Sequence, residues 1–306
     1  MHTHTADGHH HHHNHGNDKV INTAFIIGIV LNTIYVLVQF CTGIFTHSMA
    51  MLADAGHNLS DVASLALSLL AFKLAKKKRT NSFTYGYKKT TILAALVNAI
   101  VLLITIGIFG YESVNRLFHP QPINGGTVAY VAAVGIVINL LSALLFFKDK
   151  EHDINTKGAY LHLLTDALVS LGVVVAGIII SYTKFYWLDG AISIAILIVI
   201  LIGTWQLLTN SLKMSLDAVP SHLVFEKIEK IITEFSGVEN LHHLHIWAIS
   251  TTENALTAHV RLNAALSFEE KIKLIQEIKH ELQHNNINHA TIELESIELP
   301  CKDEHC

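Results

Sequence analysis

Two stretches of the sequence place a histidine and an aspartate four residues apart, in the pattern His-x-x-x-Asp. One stretch holds His57 and Asp61, and the other holds His162 and Asp166. A spacing of four residues brings both side chains to one face of a helix. Imidazole nitrogens and carboxylate oxygens are metal ligands, so two helices with such pairs can offer four ligand atoms to one ion.

A shell of two nitrogens and two oxygens narrows the choice of metal. Zinc accepts these ligands in a tetrahedron, whereas oxygen-only shells favour magnesium, calcium or manganese, and thiolates favour copper(I). The composition therefore predicts zinc, with cobalt, cadmium or iron(II) as alternatives. A buried His–Asp pair can also be a hydrogen-bonded contact between helices. Because two identical pairs occur where charge is otherwise scarce, we favour the metal site.

Both pairs lie in long apolar segments. Hydrophobic residues make up 51% of the 306-residue chain and charged residues 15%, whereas about 25% of a soluble domain is charged. About 20 apolar residues span a bilayer, so we expect a transmembrane helical domain over 20–218. The six segments of this length are roughly 20–45, 48–72, 90–117, 127–147, 159–182 and 188–210.

Basic residues alternate between the loops that join these segments. They are concentrated in the second loop, FKLAKKKRTNSFTYGYKK, and recur in the fourth. The first loop has none, and the third and fifth offer only Arg116 and Lys184. This asymmetry predicts that both termini lie in the cytoplasm. We expect an integral protein of a bacterial inner (cell) membrane.

The ends of the chain carry further metal ligands. Residues 1–19 are rich in histidine and are predicted to form a disordered tail that binds metal loosely, a purification tag being the alternative. At the other end, Cys301, His305 and Cys306 either bind metal or leave free thiols. The net charge of −4, with no basic face, argues against a nucleic-acid partner.

From residue 219 the composition becomes that of a soluble domain. Helical periodicity over 221–236 and 267–284 is interleaved with strand-like alternation in LHHLHIWAIS, ALTAHVRLN and HATIELESIEL. The order α-β-β-α-β predicts a two-layer domain over 219–306. Such a short domain favours pairing with a second copy. Strand alternation places His243 and His245 on the face opposite His242.

Four segments closely resemble the cation diffusion facilitator family of metal transporters: SMAMLADAGHNLSD, HLLTDALVSLG, the F-T-Y-G-Y loop and LHHLHIWAIS. The resemblance covers about residues 20–300. It implies a homodimer with six transmembrane helices in each protomer, followed by a cytosolic α+β domain of ferredoxin-like fold. The implied transport site consists of His57, Asp61, His162 and Asp166.

The resemblance also implies a second site and a mode of action. His242, His259 and Glu295 match positions that bind regulatory zinc in the cytosolic domain, with His289 as an additional candidate. The implied activity is export of Zn²⁺, or of Cd²⁺, Co²⁺ or Fe²⁺, from the cytoplasm in exchange for protons. Metal binding requires neutral histidine and ionised aspartate, so capture of the metal releases protons and their return ejects it. No enzymatic activity is expected, and the partners are the metal ion, protons, membrane lipid and a second copy.

The sequence departs from the family pattern after the F-T-Y-G-Y loop. Members often have a basic residue followed by Ala-Glu, whereas here Lys88-Lys89 precede two threonines. The resemblance implies that a lysine pairs with Asp217 and latches the protomers. Asp54, three residues before His57, is not among the usual four ligands. It either steers cations, passes protons or closes a polar cluster.

Three other classes of protein are alternatives to a metal transporter. A membrane metalloenzyme would need three ligands, an open position and a general base, and the four-ligand complement argues against it. A metal-sensing structural protein would not need the intramembrane pairs. A passive channel is distinguished by flux that is neither saturable nor coupled to protons.

Overall fold

A computed structural model describes residues 15–146 and 154–295. Six long helices fill the first two thirds of the chain, and they are α1 His15–Thr46, α2 Met49–Ala75, α3 Thr90–Phe118, α4 Gly125–Phe146, α5 Ile154–Thr183 and α6 Trp187–Ser215. Among the described residues, α2 to α6 contain stretches long and apolar enough to cross a membrane. The described apolar stretch of α1, Asn32–Thr46, is shorter. The predicted helical membrane domain is confirmed.

The N-terminal boundary differs from the prediction. Helix α1 begins at His15, so residues 15–19 are helical and do not belong to a disordered tail. No proline lies between these residues and the apolar segment that follows, so one helix can include both. Residues 1–14, with most of the histidine tract, lie outside the described residues.

The chain divides into two compact units. The first joins the chain up to Val62 with Ile108–Leu197, and the second joins Ala63–Gly107 with the chain from Ile198 onward. The paired His-x-x-x-Asp motifs both belong to the first unit. The cytosolic domain and the loop between α2 and α3 belong to the second.

In the first unit, helices α4 and α5 cross at two glycines. A Cβ on Gly125 would clash with the carbonyl oxygen of Gly177, and a Cβ on Gly177 would lie 2.7 Å from the carbonyl oxygen of Gly125. Only glycine fits at both positions, and small residues allow such close helix approach in membranes. This crossing fixes α5, which carries one of the two His-x-x-x-Asp motifs.

The cytosolic domain has the predicted α-β-β-α-β order, with elements α7 Phe225–Thr233, β1 Val238–Ala248, β2 Asn254–Leu262, α8 Phe268–His284 and β3 His289–Glu295. Strand β2 is central, antiparallel to β1 and parallel to β3. The helices pack on the sheet through a core that includes Ile232, Leu256 and Ile278. Helix α7 is shorter than the predicted 221–236. The predicted capping box is confirmed, because Ser267 and Glu270 exchange side-chain and backbone hydrogen bonds.

Candidate functional site

The two His-x-x-x-Asp motifs meet in the first unit. His57 and Asp61 project from α2, and His162 and Asp166 project from α5. His57 Nε2 lies 3.4 Å from Asp166 Oδ1 and 3.7 Å from Asp61 Oδ2. His162 Nε2 lies 3.3 Å from Asp61 Oδ2 and 3.6 Å from Asp166 Oδ2. Each histidine therefore contacts both aspartates, and the four side chains form a ring.

The spacing of these atoms suits a small divalent ion. Ligands about 2.0–2.1 Å from a tetrahedral zinc lie about 3.3–3.4 Å from one another, close to the four observed separations. One ligand atom each from His57, Asp61 and Asp166 lies within 4.8 Å of the other two, and His162 lies outside this group of three although its Nε2 contacts both carboxylates. Three of the four predicted ligands, with one nitrogen and two oxygens, are therefore spaced for one metal ion.

Several atoms of this ring have no hydrogen-bond partner among the described residues. They are His57 Nδ1, Asp61 Oδ2 and Asp166 Oδ1, all buried. Asp61 Oδ2 and Asp166 Oδ1 make only the longer ion-pair contacts with histidine given above, and buried polar atoms without a hydrogen bond favour a bound ligand. The ring is open on one side, because 47% of the His162 side chain is exposed against 3% of Asp166. His162 is thus the most exposed of the four ring residues.

One helical turn before His57, Asp54 is fully buried. Its Oδ2 accepts hydrogen bonds from Gln39 Nε2 and Ser170 Oγ, and Gln39 Oε1 accepts from Asn58 Nδ2. Its Oδ1 has no hydrogen-bond partner among the described residues. Asp54 therefore closes a polar cluster between α1, α2 and α5, and it also places a carboxylate beside the four-residue ring.

Asp189, which sequence reasoning did not single out, anchors the start of α2. Its carboxylate accepts hydrogen bonds from the backbone N–H groups of Met49 (2.6 Å) and Ala50 (3.3 Å) and from Ser48 Oγ. These groups begin the helix, and a carboxylate at a helix N-terminus is favourable. The acceptor lies 140 residues away in sequence, so no local signal could identify it. It fixes the helix that carries His57 and Asp61.

The cytosolic domain brings together the three predicted residues of the second site. The β1–β2 register sets His242 opposite His259. His242 Nε2 and His259 Nδ1 each lie 2.9 Å from Glu295 Oε1. Burial would raise the pKa of the Glu295 carboxyl, but its hydrogen bonds with His259 and His242 outweigh burial and hold the pKa below the usual 4.5. The cluster has the ligand types and spacing for a metal ion.

The prediction for His243 is wrong. Strict alternation would turn it away from His242, but the β1–β2 register shifts between His242 and His245. His243 takes a positive φ of 48°, and its ring centroid lies 5.2 Å from that of His242 and 4.9 Å from that of His259. A bulge of this kind re-aims a side chain at a site. His243 thus joins the cluster on the side of His259.

The remaining sequence candidates lie elsewhere. The ring of His289 packs edge-on against Tyr85, with centroids 5.6 Å apart, and among the described residues His289 does not join the cluster of His242, His259 and Glu295. Lys89 Nζ lies 2.7 Å from Asp217 Oδ1 within the same chain. Cys301, His305 and Cys306 lie outside the described residues.

Sequence reasoning also missed the motif His-Glu-Leu-Gln-His at 280–284, which matches the His-Glu-x-x-His pattern of zinc peptidases. His280 and His284 lie on the exposed side of α8 with ring centroids 4.6 Å apart. Among the described residues, no third ligand joins them in a cluster. A peptidase centre needs three protein ligands in a cleft, so the motif lacks the surroundings of a catalytic site.

Comparisons with known proteins find a matching family for each of the two domains. Residues 25–214 match the family model of the cation efflux transmembrane domain, and residues 220–297 match that of the cation efflux protein cytoplasmic domain. The cadmium, cobalt and zinc/H(+)-K(+) antiporter of Bacillus velezensis is 34% identical over 94% of this chain and 92% of its own length. Zinc transporter ZitB of Pectobacterium atrosepticum is 35% identical over 100% of this chain and 91% of its own. Metal cation efflux system protein CzcD of Cupriavidus metallidurans is 35% identical over 96% and 91%. The chain belongs to the cation diffusion facilitator family, and it is an integral membrane protein of metal cation efflux and not an enzyme.

Proposed function

We propose that this protein exports zinc from the cytoplasm in exchange for protons, with His57, Asp61, His162 and Asp166 as the transport site. The observation that carries the proposal is the ring of four contacts between 3.3 and 3.7 Å. These separations suit two states equally well. A metal ion can bind between the two histidines and the two carboxylates, or protonated histidines can pair with the carboxylates.

Exchange follows from this competition. Zinc binds neutral imidazole and ionised carboxylate, so each captured ion displaces protons from the ring. Protons that return from the other side of the membrane restore the His–Asp pairs and release the metal. The site opens to one side of the membrane at a time, as alternating access requires. No separate proton relay is needed, because the ligands themselves carry the protons.

The donor set and the relatives support the choice of metal. Two imidazoles favour zinc, cobalt and cadmium over magnesium and calcium. The named metals of the relatives are cadmium, cobalt and zinc. We therefore propose zinc as the main substrate and cadmium and cobalt as further substrates. Iron(II) suits the same ligands but has no counterpart in those names.

The proposal includes where the protein is located and how it assembles. The basic loops support an orientation with both termini in the cytoplasm, and the bacterial sources of the relatives support a bacterial inner membrane. The protein acts as a homodimer, supported by the match of residues 220–297 to the family's cytoplasmic domain. Lys89 and Asp217 form an ion pair within each protomer.

The cytosolic cluster of His242, His259 and Glu295 binds regulatory zinc. Glu295 Oε1 holds both rings, and His242 Nδ1 is buried without a hydrogen-bond partner among the described residues. A titration with zinc of the full-length protein carrying Asp61→Asn/Asp166→Asn, which removes the proposed transport ligands, tests this site through thermal stability. We expect the double variant His242→Ala/His259→Ala to lose most of the stabilisation by zinc, whereas His280→Ala/His284→Ala keeps it. An equal response of both variants contradicts the assignment.

Zinc flux into proteoliposomes, measured with and without a pH gradient, tests the transport site. We expect Asp61→Asn and Asp166→Asn to reduce flux at least 100-fold, since each removes a ligand and a charge from the ring. Glu112→Gln is the matched control, because it removes a membrane-domain carboxylate whose partner is Arg116. Wild-type flux in the double variant Asp61→Asn/Asp166→Asn would refute the site. Flux that does not saturate or ignores the pH gradient would instead indicate a channel.

A further inference from the structure

The second unit contains a basic cavity that the transport site does not use. It has a volume of about 560 Å³ and lies where the loop after α2 meets the start of β3. Three of its lining residues are basic, and they are Lys77, Arg79 and Lys88. Thr84 and Tyr85 add hydroxyl groups, and none of the lining residues is acidic. Such a lining favours an anion.

Two of the three basic residues in the lining form no ion pair with another described residue, so their charges can interact with a ligand. Lys88 Nζ is held by Glu253 in an ion pair, but Lys77 and Arg79 have no carboxylate within 4.0 Å among the described residues. Both side chains are exposed. Arginine and lysine side chains with hydroxyl groups nearby are typical of phosphate-binding sites.

The loop that forms the cavity has a defined conformation. The backbone N–H groups of Thr80 and Phe83 each donate to the other's carbonyl oxygen, at 3.1 and 3.2 Å. Gly86 takes a φ of 70°, and its N–H donates to the Phe83 carbonyl. The rings of Phe83 and Tyr87 stack with centroids 4.8 Å apart. The F-T-Y-G-Y segment, which contributes Thr84, Tyr85 and Gly86 to the lining, is therefore ordered without a ligand.

The position of the cavity along α2 indicates where the anion comes from. Leu69, Leu70 and Phe72 in the last turns of this membrane-spanning helix are each more than half exposed, as lipid-facing residues are. The cavity begins at Ala75, one turn further on. Tyr85 on its wall is about half exposed, and tyrosine is enriched where the hydrocarbon meets the headgroups. Basic clusters next to the cytoplasmic end of a membrane helix attract anionic lipids.

We propose that this cavity binds the phosphate of an anionic lipid headgroup, with Lys77 and Arg79 as the charged contacts and Tyr85 at the headgroup level. The ligand chemistry is a phosphate anion, and the neighbouring exposed end of α2 favours lipid over a soluble phosphate as its source. The proposal does not depend on the identity of the transport site.

Lipid binding to the full-length protein in neutral detergent tests the proposal without metal or transport. Native mass spectrometry would compare phosphatidylglycerol with phosphatidylcholine, and inorganic phosphate would be added as a competitor. Lys77→Gln/Arg79→Gln removes both charges, and Lys77→Arg/Arg79→Lys keeps them. Lys227→Gln/Lys230→Gln is the matched control, because it removes two exposed charges of the cytosolic domain.

We expect phosphatidylglycerol to bind the wild type, the charge-keeping variant and the control, and to bind Lys77→Gln/Arg79→Gln at least tenfold more weakly. Equal binding of the two lipids to the wild type overturns the proposal, as does equal binding of phosphatidylglycerol to the wild type and the charge-removing variant. Displacement of the lipid by inorganic phosphate at equal concentration overturns the choice of lipid. A thermal unfolding curve without lipid verifies that each variant is folded. Because the readout is binding, failure here leaves the zinc flux experiment unaffected.

Discussion

Gln39 on α1 donates a hydrogen bond to the carboxylate of Asp54 on α2, and the second hydrogen bond of Gln39 fixes the orientation of its amide. The Gln39 amide donates to Asp54 Oδ2 through Nε2 and accepts from Asn58 Nδ2 through Oε1. Ser170 Oγ donates to the same Asp54 oxygen at 3.2 Å. Asp54 thus acts as an acceptor through one oxygen, and its other oxygen has no hydrogen-bond partner among the described residues. This arrangement makes it possible to separate the hydrogen bonds of Asp54 from its charge.

Asp54→Asn is expected to keep the fold and weaken transport. An asparagine oxygen can replace Oδ2 and accept from both Gln39 and Ser170, so stability should change little. The negative charge one turn from His57 is lost, and it attracts a divalent cation to the ring. We therefore expect a several-fold higher KM for zinc flux in proteoliposomes, with an unchanged melting temperature in detergent.

Asp54→Ala provides the comparison. It leaves the buried Gln39 and Ser170 donors without their acceptor, which costs about 1–3 kcal/mol for each unsatisfied group, so the melting temperature should fall. If Asp54→Asn had the zinc KM of the wild type while Asp54→Ala was destabilised, Asp54 would serve only to close the polar cluster.

The sequence predicts which four side chains form the ring, because helical geometry is local. Four residues separate each histidine from its aspartate, and this spacing alone puts the pair on one face. The hydrogen-bond partners of Asp54 follow from the packing of α1, α2 and α5, which no local pattern specifies. The same holds for Asp189, whose acceptor role depends on the meeting of two helix ends distant in sequence.

Strand periodicity was a poorer guide than helical periodicity. His242 and His259 were predicted as ligands and lie 2.9 Å from the same carboxylate oxygen. The placement of His243 failed because alternation assumes a regular strand, and one residue at positive φ reverses the direction of a side chain. Histidine tolerates this conformation better than a β-branched residue would, but the sequence contains no glycine at 242–245 to signal the bulge.

Asp189→Ala is expected to destabilise the membrane domain. The backbone N–H groups of Met49 and Ala50 would lose their acceptor at the buried start of α2. Loss of a helix cap costs about 0.5–2 kcal/mol, and burial adds to this cost. Zinc flux should fall as well, because the start of α2 positions His57.

Asp189→Asn is the matched control for this cap, since its amide oxygen still accepts from the helix. We expect it to lie between the wild type and Asp189→Ala in thermal unfolding in detergent. A melting temperature of Asp189→Ala equal to that of the wild type would show that the carboxylate contributes nothing to the start of α2.

Glu295 should make the stability of the protein depend on pH at the acidic end. Its pKa in the folded protein lies below the usual 4.5, so between the two values the unfolded chain binds more protons than the folded one. The contribution to stability is therefore complete above pH 4.5 and is lost as the pH falls through the lowered pKa. Glu295→Gln lacks this dependence.

Thermal unfolding of both proteins between pH 3.5 and 7, with a chelator present, measures the difference. The advantage of the wild type over Glu295→Gln should be constant above about pH 5 and shrink below pH 4.5. An advantage that persists unchanged to pH 3.5 would mean that Glu295 is not held in its ionised form by His242 and His259.

The His-Glu-x-x-His motif on α8 leads to a prediction that separates transport from hydrolysis. In zinc peptidases the glutamate of this motif is the general base, and its loss abolishes activity. Here Glu281 is exposed, and its Oε1 accepts a hydrogen bond from Asn285 Nδ2. We expect Glu281→Gln to transport zinc at the wild-type rate, since an amide oxygen can still accept that bond. The full-length protein should cleave no peptide when loaded with zinc. Zinc-dependent peptide cleavage that disappears in Glu281→Gln and persists in Asp61→Asn would reveal a second, catalytic centre on α8.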